Sequence, residues 1–124
     1  MDEIHGPSVL ILGFGHEGKS SYRWLRRHYP TMQIDVADIH ISDEDMASSL
    51  YKGSSFFTGD SYLSHVALYT TIVRSPGVSP YLFEVQSYIQ NGGHVTSATN
   101  IFFSCVKGKT IGITGTKGKV LQQV

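Results

Sequence analysis

The residues best suited to chemistry are the glycines of Gly13-Phe14-Gly15-His16-Glu17-Gly18-Lys19-Ser20, which follow the apolar run Ser8-Val9-Leu10-Ile11-Leu12. Two patterns fit this loop. Gly13, Gly15 and Gly18 match a dinucleotide fingerprint, whereas Gly13, Gly18, Lys19 and Ser20 match a P-loop. The physics is shared: without side chains in the way, backbone N–H groups approach phosphate oxygens, and the next helix offers its positive end. That dipole contributes only about 0.3–1 kcal/mol at an exposed site, so several N–H bonds must share the binding. Asp38 favours the first pattern, lying 20 residues beyond Gly18 at the end of an expected second strand. Dinucleotide folds keep a carboxylate there to accept from the nucleoside. The plainer alternative is that the glycines only make a tight strand-to-helix turn.

Two more loops carry related chemistry. Ser75-Pro76-Gly77-Val78-Ser79-Pro80 closes a fourth expected strand, at the sheet edge where open α/β folds bind ligands. Gly77 there admits close backbone approach to a ring or phosphate, and a Pro-Gly turn explains it equally well. Gly112-Ile113-Thr114-Gly115-Thr116-Lys117-Gly118-Lys119 is a second phosphate-type loop. Lys119 stands where a phosphate-binding lysine belongs, but Val120 replaces the Ser or Thr whose hydroxyl would ligate Mg²⁺. The six histidines (His5, His16, His28, His40, His65 and His94) show no metal-ligand spacing, so no metal site is expected. Cys105 reads as a packing thiol, Arg23, Arg26 and Arg27 as a solvated helix face, and Phe56, Phe57, Phe102 and Phe103 as core.

Positioning these loops requires alternating strands and helices. Residues 8–12 form a continuous apolar run of the kind buried on both faces in parallel sheets. A helix over 20–28 and a strand over 33–38 complete one βαβ unit. A Ser42-capped helix to about Leu50, a strand over 55–58, a helical turn over 60–67 and a strand over 69–74 come next. Pro80 is placed as the first residue of a helix ended by Asn91-Gly92-Gly93. Strand 94–96, a turn over 99–103 and a sixth strand from Lys109 finish the chain. The expectation is an α/β, Rossmann-like three-layer domain with a mostly parallel sheet of about five strands.

Composition narrows the function classes. The 124 residues suit one domain, and 10 basic against 10 acidic residues leave no basic footprint for nucleic acid or a membrane surface. No apolar run is long enough to span a bilayer, and the acidic start lacks a signal-peptide core. A single cysteine fits a reducing compartment, so a cytoplasmic domain is expected.

Taken in order and spacing, the three glycine motifs resemble the Mur ligases of peptidoglycan synthesis, most closely the D-glutamate-adding branch. The resemblance implies a Rossmann-like UDP-binding domain over 1–108 and the start of a central ATPase domain over 109–124. It implies UDP-N-acetylmuramoyl-L-alanine as ligand. Gly15, His16, Glu17 and Gly18 would face the diphosphate, Asp38, Ile39 and His40 the uridine, and Ser75 and Gly77 the other side. Gly115, Thr116, Lys117, Gly118 and Lys119 would belong to the ATP loop. In the family ATP phosphorylates the substrate carboxylate and the amine of D-glutamate attacks the acyl phosphate. ATP and Mg²⁺ therefore belong to a longer enzyme, its catalytic residues beyond Val124, and this chain alone is expected to bind neither and to be inactive. The fingerprint and Asp38 by themselves would also suit a free-standing NAD(P)-binding regulatory module.

Overall fold

The computed structural model describes Ile4 and residues 6–97 and 99–101. Five strands, β1 (Ser8–Leu12), β2 (Gln33–Ala37), β3 (Phe56–Phe57), β4 (Thr71–Arg74) and β5 (His94–Ser97), form one sheet in the order β3-β2-β1-β4-β5. Every pairing is parallel. The chain builds outward from β1 through β2 to β3, then crosses back to place β4 on the other side of β1. The order therefore reverses between β1 and β4, and a crevice opens outside the carboxyl ends of strands at such a reversal.

Helices cover both faces. Val9, Ile11, Ile34, Val36 and Val73 point to one side, where Tyr22 and Leu25 of α1 (His16–His28) cover them. Leu10, Leu12, Ala37 and Ile72 point to the other, beneath Val85 and Tyr88 of α3 (Phe83–Gln90). Val9 to Leu12 are wholly buried, as their unbroken apolar run requires. The short α2 (Asp43–Ala47) is capped by Ser42, whose Oγ accepts the Asp45 N–H at 3.1 Å. The three-layer parallel architecture is the expected one.

Several boundaries differ from expectation for physical reasons. Helix α1 begins at His16, not Ser20, because Gly18 belongs to the helix and not to the turn. A Cβ at Gly18 would overlap the Gly13 carbonyl oxygen, so this glycine exists to let helix and loop touch. Helix α3 begins at Phe83, not Pro80. Residues 79–82 turn instead, with the Tyr81 N–H on Ser79 Oγ and the Pro80 carbonyl taken by Gln86 Nε2 at 2.7 Å. The helix expected to Leu50 breaks at Ser48, which caps a 3-10 turn over Ser49–Tyr51. The segment expected as helical over 60–67 is a run of turns ending in a 3-10 turn at Val66–Leu68. Strand β3 shrinks to two residues and β4 starts at Thr71, so Tyr69 lies outside the strand and contributes its side chain. That side chain meets a buried carboxylate on β2: Asp35 accepts from Tyr69 Oη at 2.5 Å, Gln33 Nε2 at 2.6 Å and the Ser55 N–H at 2.8 Å. A buried charge is tolerable only when so fully hydrogen-bonded. The turn expected over 99–103 is helical at 99–101, and its remainder, like the sixth strand, lies outside the described residues.

Candidate functional site

The three loops that leave β1, β2 and β4 converge on a cleft of about 420 Å³. Its walls are Gly13, Gly15, His16 and Glu17 after β1, Asp38 after β2, and Ser75 to Val78 after β4. It sits at the reversal of strand order, where the fold places a ligand.

The geometry of the first wall begins at Gly13, whose φ of 90° lies in the left-handed region that favours glycine. That conformation sends its N–H to the Ala37 carbonyl at 2.8 Å and turns the chain into α1. Even a methyl on Gly13 would press at 3.0 Å on Ser75 Cβ and Val78 Cγ2. Gly15 is the N-cap of α1, and no side chain caps the helix. The N–H groups of a helix's first turn have no intrahelical partner, so those of His16, Glu17 and Gly18 are donors at its positive end.

The loops are tied to one another. Asp38 Oδ2 accepts the Phe14 N–H at 2.7 Å, joining the β2 and β1 loops. Ser75 Oγ donates to the Gly13 carbonyl at 3.0 Å, joining the β4 and β1 loops. The Ser75 N–H continues the sheet to the Leu12 carbonyl at 2.9 Å. Each tie is local to the cleft and spans more than twenty residues of sequence. The cleft is therefore preorganised.

Electrostatically the lining holds two carboxylates, Glu17 and Asp38, and one imidazole, His16, with no lysine or arginine among the described residues. Any anion bound there relies on backbone N–H groups and the α1 dipole. Lys19 does not supply the missing charge. Its ammonium pairs with Asp45 of α2 at 3.0 Å and lies 5.8 Å from the Phe14 ring centroid. That hydrogen bond to Asp45 is the main reason its pKa is raised, with desolvation opposing. Of the two patterns the loop satisfies, the P-loop one loses its lysine. Burial pushes the Tyr62 phenol up, and the Asp38 and Glu84 carboxylates add to the effect.

Of the residues expected at the site, Gly15, His16, Glu17, Asp38, Ser75 and Gly77 line the cleft. Gly18 is buried behind it as the helix–loop contact, while Ile39 and His40 are exposed on the rim and do not line it. The Ile39 carbonyl accepts from the Gly59 N–H at 2.9 Å, which fixes that rim to the β3 loop. Gly13, expected as a fingerprint glycine but given no ligand contact, also lines the cleft, as do Pro76 and Val78, to which no site role was given. The Ser-Pro-Gly-Val loop was itself the signal for two of them. Gly115, Thr116, Lys117, Gly118 and Lys119 lie outside the described residues. Among the described residues no cluster of His, Cys, Asp or Glu could hold a metal ion, and no helix is long and apolar enough to cross a membrane. A larger cavity of about 490 Å³ opens at the other end of β4, between Leu63, Tyr69, Phe83 and Tyr88. Phe83 and Glu84 at the start of α3 and the Gly92-Gly93 turn line it, but no described strand's carboxyl end opens into it, so the smaller cleft at the order reversal is the candidate site.

A parallel sheet with an order reversal, a glycine turn into an uncapped helix, and a carboxylate after β2 define a Rossmann-like domain. More particularly, the chain belongs to the Mur ligase family: the model described as "Mur ligase MurD-like, N-terminal domain" matches residues 7–97. A UDP-N-acetylmuramoyl-L-alanine--L-glutamate ligase of Xanthomonas axonopodis pv. citri is 29% identical over 96% of this chain and 26% of its own length. A UDP-N-acetylmuramoylalanine--D-glutamate ligase of Methylococcus capsulatus is 31% identical over 90% of this chain and 24% of its own. One from Acidobacterium capsulatum, also named for D-glutamate, is 30% identical over 94% and 26%. The chain thus spans about a quarter of the length of these relatives.

Proposed function

We propose that this chain is the domain that grips the UDP moiety of UDP-N-acetylmuramoyl-L-alanine in an ATP-dependent ligase that adds D-glutamate during peptidoglycan synthesis. The observation that carries the reading is the cleft itself: two glycine-bearing loops and an uncapped helix end face one another across the sheet's order reversal. The diphosphate lies against the N–H groups of Gly15, His16, Glu17 and Gly18. Asp38 accepts from the uracil or ribose through the oxygen not already given to Phe14. Ser75 and Gly77 close the opposite wall, and Ile39 and His40 flank the uridine from the rim.

This division of labour follows from charge. With two carboxylates in the lining, point-charge attraction cannot hold a diphosphate, whereas aligned backbone donors can. Asp38 suits a nucleoside hydroxyl or imide N–H and disfavours an additional phosphate near it. The chemistry of ligation belongs to other parts of a longer protein that works in the cytoplasm. There ATP, with Mg²⁺, would supply the activating phosphoryl group, and residues 115–119 match the beginning of the loop that holds it. By itself the chain is a binding module without ligase activity.

The relatives differ in the hand of glutamate named for them, and the roles assigned to the cleft residues concern the UDP moiety and not that amino acid. Incubating the longer protein with ATP, UDP-N-acetylmuramoyl-L-alanine and either D- or L-glutamate decides the point. Product from D-glutamate is expected, and product from L-glutamate alone would overturn that part of the reading.

A further inference from the structure

Arg74, the last residue of β4, is half-buried and does not line the cleft. Its guanidinium Nη1 donates to the Val78 carbonyl at 2.6 Å and, more weakly, to the Ser75 carbonyl at 3.4 Å. Both acceptors belong to the loop after β4 that forms the cleft's third wall. The same Ser75 carbonyl also accepts the Val78 N–H at 3.0 Å, so one cation closes a turn whose two ends it holds. Ser75 in turn is fastened to Gly13, the pivot of the first wall. A continuous chain of contacts therefore runs from Arg74 through the loop to the glycine turn.

We propose that Arg74 is a positioning residue for the nucleotide site, acting through residues 75–78 and not by touching the ligand; this rests on the reading of the cleft as a UDP site. Two physical effects operate. The guanidinium draws two carbonyl dipoles toward itself and away from the cleft, where their negative ends would oppose a phosphate. A charge-assisted bond is also stronger than a neutral one, so it fixes the loop that carries Ser75 and Gly77. Where no described lysine or arginine lines the cleft, placement of neutral groups weighs on affinity, and the residue that sets the placement matters accordingly.

The test compares Arg74→Met and Arg74→Lys with the parent 124-residue chain, titrating each with UDP and with UMP by NMR. Arg74→Met should weaken both nucleotides by a similar factor of about ten, and Arg74→Lys, which keeps a charged donor, should recover most of it. The amide signals of Gly77 and Gly13 should shift in unliganded Arg74→Met, reporting the displaced loop. Unchanged affinity in a folded Arg74→Met overturns the inference and leaves the cleft reading standing. A loss for UDP without one for UMP also overturns it, because that pattern belongs to a direct phosphate contact. Absence of nucleotide binding by the parent chain overturns both.

Discussion

Asp38 Oδ2 accepts the backbone N–H of Phe14 at 2.7 Å, so the carboxylate that follows β2 holds the glycine loop that follows β1. The residue therefore has a structural duty alongside the one proposed toward the nucleoside. Substitution separates the two. Asp38→Ala orphans a backbone donor beside a buried ring, at a cost of about 1–3 kcal/mol. Asp38→Asn keeps an acceptor and should lose under about 1 kcal/mol, while still weakening nucleotide binding because the amide cannot fully replace a carboxylate. Urea unfolding read beside a UDP titration checks both expectations.

Gly18 and Gly15 are neighbours in the sequence pattern but differ in what surrounds them. A Cβ at Gly18 would meet the Gly13 carbonyl oxygen, which is backbone and cannot swing aside, whereas nothing lies within 4 Å of one at Gly15. Gly18→Ala should destabilise the fold by about 1–3 kcal/mol or more through overpacking. Gly15→Ala should leave the unfolding free energy within about 0.5 kcal/mol. Gly15 lines the cleft, so an added methyl there should still lower UDP affinity. Thermal unfolding and titration of the two variants would show opposite profiles.

Lys19 is committed to Asp45, and exposed ion pairs of this kind contribute little to stability. Lys19→Met should thus leave UDP affinity within about twofold of the parent and stability nearly unchanged. A loss of tenfold or more would restore the phosphate-binding role that the P-loop pattern suggests.

The Tyr69 phenol donates to buried Asp35, and burial first, then that bond and the carboxylate's charge, push its pKa upward. A phenol raised in the folded state favours the protonated form. Its contribution is fully present below the unfolded value near 10 and is lost as pH rises beyond it. Burial raises Tyr88 in the same direction. Stability measured by urea unfolding from pH 8 to 11 should fall above about pH 10, and less steeply in Tyr69→Phe. At neutral pH that variant should be less stable by about 1.5–3 kcal/mol, because Asp35 loses a donor.

These residues also show which features were legible in the sequence. The wholly buried run Val9 to Leu12 announced a central parallel strand, and a carboxylate 20 residues past Gly18 announced the second strand's end. Two of the three glycine loops read from the sequence, with Asp38, line the cleft, and the third lies outside the described residues. What stayed hidden depended on partners distant in sequence. Gly18 looks like a turn residue until Gly13's carbonyl is seen against it, and Tyr69 reads as a strand residue until Asp35 captures its hydroxyl. Pro80 has the look of a first helical residue, but its carbonyl serves Gln86 while the helix starts at Phe83. Arg74 was invisible as a site residue because its acceptors are main-chain carbonyls, which carry no sequence signature.

The central claim is that the cleft between Gly13 and Ser75 holds a uridine diphosphate. It is tested most directly by titrating the ¹⁵N-labelled chain with UDP and, separately, with NAD. Saturable shifts from UDP at Gly13, Gly15, His16, Glu17 and Gly77, with weaker or no response to NAD, are the predicted result. Shifts at those amides from NAD with none from UDP would contradict it.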